Sequence, residues 1–273
     1  LKQLTRTGLL KIFPSQPTPQ IKDIWRIFDD NKMPYLKRDW PYQQEIIKPS
    51  QRTEKLLASF FKDLQSESTP ILTIAKQAFI RDCENEENAF EEKNKSQPPL
   101  FSLMLNGLNI IETFFYKYSF PETFGSIEQE KINKYGTVIE RYYDFYDQIV
   151  GRYLATLKED DLLVVYSPHG IEPLPLWKRF VEWILGNPEV SAYHEHAPEG
   201  VIFFYGKGVV HRKNIEGMKL IDIAPTLLYY LGLPVGEDMD GVVTTSLFVK
   251  EFTEENPISY ISSYEEVIIK SLQ

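Results

Sequence analysis

The stretch that most constrains the fold of this chain is DLLVVYSPHGIEP, residues 161–173. Leu162 to Tyr166 are five apolar or aromatic residues in a row, which predicts a strand covered on both faces, the habit of parallel sheets in α/β proteins. The run breaks into Ser167, Pro168, His169 and Gly170, which puts His169 just past the strand's carboxyl end. In open α/β sheets that edge collects ligands and catalytic groups, because the loops leave the sheet there. A His-Gly turn is equally an ordinary hydrogen-bonded or solvated turn, so position alone assigns it no role.

Two other apolar runs have the length of strands, PLFSLML after Pro98 and Val201 to Tyr205. Helical periodicity fills the intervals. IKDIWRIFDDN brings Ile21, Ile24, Trp25 and Phe28 to one face, and TEKLLASFFKDL does the same with Leu56, Leu57, Phe60, Phe61 and Leu64. ILTIAKQAFIRDCENEENAFEEKNK predicts a more acidic amphipathic helix ending before Pro98, its charges forming a solvated face. After PLFSLML comes a loop, NGLN, and then the helical IIETFFYKYSFPE.

One long helix is expected from Ile127 to Leu157, where Ile132, Tyr135, Ile139, Tyr142, Tyr146, Ile149 and Tyr153 step by three and four as a core stripe. It runs straight into DLLVVYSPHG, so strand, helix and strand predict a right-handed parallel crossover. LPLWKRFVEWILGNP predicts a helix closed by Gly186 and Pro188. LIDIAPTLLYYLGLP predicts one with Pro225 in its first turn and Gly232 at its end, followed by the acidic turn EDMDG. With no internal repeat or low-complexity linker, residues 1–273 read as one layered α/β domain.

Charge narrows the partners. Thirty basic against thirty-nine acidic side chains give a net charge of −9 and a pI near 5.1, which opposes non-specific binding to nucleic acid or to anionic membranes. A single cysteine, Cys83, allows no internal disulfide and no cysteine-based zinc cage. No stretch reaches the roughly 18 apolar residues of a membrane span. The chain opens LKQLTRTGLL without Met, so its numbering is expected to begin inside a longer protein.

Three blocks, LNGLNIIETFFYKYSFPE, LLVVYSPHG, and HAPEGVIFFYGKGV with IDIAPTLLYYLGLPVGEDMDG, resemble in order and spacing the later two-thirds of the type I phosphodiesterase/nucleotide pyrophosphatase family of the alkaline phosphatase superfamily. The IDIAPTLLYYLGLP…DMDG block is the most specific, and the resemblance spans about Ile21 to the tail ISYISSYEE. It implies a three-layer α/β/α fold with a largely parallel central sheet, an N-terminal strand of which would lie before residue 1. A partner chain or that missing segment is then expected to complete the sheet.

The resemblance also implies two divalent metals, usually zinc, that activate a Thr or Ser nucleophile. One metal is held by a D-x-x-x-H pair and a late His; the other by an early Asp, the nucleophile and the Asp-His of an S-D-H-G loop. Here the D-x-x-x-H pair falls on Asn109 through Thr113, the S-D-H-G loop on Ser167, Pro168, His169 and Gly170, and the late His on His196. His169 and His196 are thus the remnant metal ligands, while Asn109, Thr113 and Pro168 are degenerate positions; no residue corresponds clearly to the early Asp or the nucleophile.

Two cations about 4 Å apart are held together only by anionic ligands. Proline has no donor atom on its side chain, and neutral hydroxyl or amide oxygens are poor exchanges for imidazole and carboxylate at zinc. A two-metal centre is therefore not expected and no cofactor is assigned. A mononuclear remnant would draw on the H-x-H pair His194 and His196 beside Glu195, with Glu172 as third ligand.

Three functions compete. The first is a catalytically degenerate domain serving as a binding or assembly module. The second is a zinc- or other divalent-metal-dependent phosphoesterase whose nucleophile lies outside this chain. The third is a nucleotide or phospholipid-headgroup sensor using Lys207, His211, Arg212 and Lys213 of YGKGVVHRK, a patch that equally reads as a solvated loop.

Overall fold

The computed structural model describes residues 22–38, 47–64, 67–211 and 214–265. The elements run α1 (Ile24–Asp30), β1 (Tyr35–Arg38), α2 (Gln51–Phe60), α3 (Pro70–Ser96), β2 (Leu100–Leu103) and α4 (Gly107–Ser119). They continue with α5 (Gln129–Tyr135), α6 (Val138–Leu154), β3 (Leu162–His169), β4 (Glu172–Pro173), α7 (Leu176–Ile184), β5 (Ala192–Tyr193) and β6 (Glu199–Gly206). Last come α8 (Ile223–Tyr230), β7 (Val235–Gly236), α9 (Lys250–Glu255) and β8 (Tyr260–Ile261). The protein is mixed α/β with small sheets, and it divides into two compact units, residues 35–211 and the remainder.

In the unit of residues 35–211 helices supply the core. Phe61, Leu64, Leu72, Phe79, Ile111, Phe115 and Tyr142 pack together, drawn from the end of α2, from α3, from α4 and from α6. The expected stripe is borne out at Tyr135, Ile139, Tyr142, Ile149 and Tyr153, all buried. The single helix over 127–157 is not. It divides into α5 and α6 at Gly136 and Thr137, where the Gly136 carbonyl leaves the helical ladder to accept from Ser119 Oγ at 2.8 Å.

The acidic α3 ends as read, with Gln97 in the left-handed region (φ 44°) before Pro98. Its charges are not all solvated, however: Arg81, Asp82 and Glu86 are buried. The NGLN loop also shortens, because α4 already begins at Gly107, whose N–H is met by the Asp82 carboxylate at 3.0 Å.

The expected parallel crossover between β2 and β3 is corrected. β2 pairs parallel with β1, Tyr35 opposite Leu100, while β3 pairs antiparallel with β6. That register sets Leu163 against Tyr205 and Val165 against Phe203, apolar pairs that stabilise an antiparallel ladder on one face. Among the described residues every sheet has two strands. β3 is accordingly half-buried rather than covered, and Val201, Phe203 and Tyr205 on β6 are exposed.

β3 also runs further than the apolar run, so His169 is its last residue and Pro168 lies inside it. Proline can occupy a strand where its missing N–H is not needed. Gly200 crosses directly opposite, and a Cβ there would collide with the carbonyls of Ser167 and Pro168.

In the other unit, Asp23 caps α1, accepting from Arg26 N at 3.0 Å, and α1 buries Trp25, Ile27 and Phe28; Ile21 lies outside the described residues. The IDIAP…DMDG block has a structural logic. Buried Asp222 accepts from the N–H groups of Lys219 and Val242, each at 2.8 Å, and Gly241 passes so close to the Ile221 carbonyl that no Cβ fits. α8 then buries Pro225 and Leu228, and Gly232 ends it at φ 70°.

Candidate functional site

Side chains from α3 and α6 anchor the N-terminus of α4. Asn106 makes no side-chain cap; instead Gly107 N donates to Asp82, and Leu108 N donates to Tyr146 Oη at 3.2 Å. Helix starts leave such donors open, and here they are met from neighbouring helices. Asp82 also accepts from Tyr142 Oη at 2.9 Å and Tyr146 Oη at 2.8 Å. Burial pushes its carboxyl up to about 6 against the pull of those donors.

With α4 fixed, Asn109 in its first turn meets the segment that carries β5. Ser191 ties that segment down, donating to the Thr113 carbonyl from its N at 2.8 Å and its Oγ at 3.0 Å. His194 then reaches two oxygens at once: Nδ1 lies 2.6 Å from the Gly170 carbonyl and Nε2 lies 2.6 Å from Asn109 Oδ1. Both oxygens are acceptors, so each ring nitrogen faces a hydrogen-bond acceptor. The His169 ring lies against the His194 ring with centroids 4.1 Å apart.

Asn109, His169, Gly170 and His194 therefore converge, three of them from separate elements. Thr113 is one turn below Asn109, but its hydroxyl folds back to donate to the Asn109 carbonyl at 2.8 Å. Pro168 has no side-chain donor atom, and Ser167 Oγ donates to the His169 carbonyl. His196, the expected late ligand, has a side chain 75% exposed, with its backbone N–H donating to Glu172 at 2.7 Å. Glu195 pairs with Lys178. The H-x-H pair is thus divided between two environments.

Glu112 went unnoticed at the sequence level, although it is three residues from Asn109 on the same helix. Burial raises its carboxyl above the ordinary range, against a 2.9 Å hydrogen bond from Tyr143 Oη and the nearby His194. Glu112, His169 and His194 give the cluster one half-buried acid and two imidazoles, a set suited to hydrogen bonding and proton exchange.

These residues do not fit a two-zinc centre. Both nitrogens of His194 are engaged by oxygens, the Thr113 hydroxyl is turned away, and among the described residues no group of three or more His, Cys, Asp or Glu is disposed to hold a metal ion. Of the basic patch, Lys207 pairs with Asp160 at 2.6 Å and His211 is exposed, while Arg212 and Lys213 lie outside the described residues. No helix of the described residues is long and apolar enough to cross a membrane. Compared with known proteins, the chain matches no family model and no curated sequence at a significant level.

Proposed function

We propose that this chain is a catalytically degenerate member of the type I phosphodiesterase group, with an alkaline-phosphatase-like fold whose hydrolytic centre is lost and whose surface serves as a binding or assembly module. The observation that carries the reading is His194, bonded through both ring nitrogens, one of them to the amide of Asn109 at a position where the resemblance implies a metal-binding carboxylate. Three distant stretches of the sequence meet there, while the chemistry at that meeting point is hydrogen bonding. In this reading β1–β2 and β3–β6 belong to one three-layer α/β/α sandwich. Its largely parallel sheet is completed by a further strand along the edge of β3 that β6 does not occupy, supplied by a partner or by an adjoining segment.

The test is hydrolysis of bis-p-nitrophenyl phosphate with added zinc, by protein that includes whatever sequence precedes Leu1, alongside elemental analysis. The expected result is no hydrolysis above buffer and no stoichiometric zinc. Zinc-dependent turnover with metal retained through dialysis would establish the metal-dependent phosphoesterase instead.

A further inference from the structure

Helix α7 is amphipathic in the reverse of the usual sense. Surface helices turn their apolar side to the core. Here the charged side faces inward: Lys178 pairs with Glu195 and lies 4.2 Å from the Tyr193 ring centre, and Arg179 donates to the carbonyls of Leu174 and Thr123 while sitting 4.0 Å over Phe124. The apolar side is left in water, with Leu176 at 78% exposure, Trp177 and Trp183 at 64%, Ile184 at 62% and Phe180 at 61%.

This outward face is self-complementary. Read from Phe180 in either direction, the helix presents Trp183 against Trp177 and Ile184 against Leu176. A second copy laid antiparallel across it, with the two-fold axis at Phe180, would set ring on ring at the centre, indole on indole and aliphatic on aliphatic. Each contact off the axis would be made twice, as an isologous interface requires. With Val181 and Leu185, also exposed, the face offers on the order of 800 Å², the share each partner gives to a standard interface. An anionic bilayer is a poorer occupant, because Lys178 and Arg179 are turned inward and the protein carries −9.

We propose that α7 is a self-association surface, packing antiparallel on α7 of a second copy of this chain. It does not depend on the degenerate-site reading, since no residue of the Asn109–His194 cluster takes part.

Sedimentation of the full chain at micromolar concentration is expected to show a dimer, and Phe180→Glu to weaken association by at least about tenfold, central aromatic anchors being where interface energy concentrates. Phe180→Cys places thiols at the axis and is expected to cross-link on mild oxidation. Cys83, buried and with its thiol pushed far up by burial, leaves the background silent. Tyr143→Cys, exposed on another helix, is the control and should stay monomeric on denaturing gels. A monomer throughout, Phe180→Cys cross-linking no faster than the control, or a monomer that floats with phosphatidylcholine vesicles would each overturn the proposal.

Discussion

At the residue scale, Asp82 shows how an acid can be structural. It is buried, and three donors converge on it from α4 and α6. Its pKa rises from 3.8 to about 6, so between those values the folded protein holds a proton that the unfolded chain has released. Stability therefore falls as pH climbs from about 4 to about 6, by up to about 3 kcal/mol at about 1.4 kcal/mol per pK unit, and is level above. Asp82→Asn is expected to flatten that slope, as read by urea unfolding across the interval; an unchanged slope would assign it to other acids. None of this is legible in the sequence, because Asp82 opens an acidic run that reads as a solvated face, and only the positions of Tyr142 and Tyr146 distinguish it.

At the element scale, the helices that sequence periodicity identified are present, and the departures from it have local causes. Periodicity reports that a helix has an apolar face but not where the backbone will break it. The α5–α6 break falls at Gly136, and α4 starts early because Asp82 rewards Gly107 with a hydrogen bond. Strand pairing is less legible still: the apolar run marks β3, but its partner 30 to 44 residues on depends on contacts that no window of sequence contains. The docking of α4 gives a sharp prediction. A Cβ on Gly107 would land on Tyr142 Oη and the Asp82 carboxylate, both immobilised in the core. Gly107→Ala, which in an open helix would stabilise, should instead cost about 1–3 kcal/mol, the range for overpacking a filled core. A raised thermal midpoint would show that the α3–α4–α6 junction has room to yield.

At the scale of the whole molecule, the charge of −9 and the inverted face of α7 act against each other. Two copies that meet through a nearly neutral apolar strip still bring two acidic bodies together, so repulsion tempers whatever the strip gains by leaving water. Salt shortens the reach of that repulsion, the screening length falling from roughly 14 Å near 0.05 M to below about 6 Å at 0.3 M. Self-association should accordingly strengthen by about two- to fivefold over that range, and again as pH falls toward the pI near 5.1. Sedimentation equilibrium at the two salt concentrations reads it directly. The sign is what matters: an interface built on ion pairs would weaken with salt, as would any complex with a polyanion. Only contact dominated by Phe180 and the two indoles gains from salt as the acidic bodies are screened.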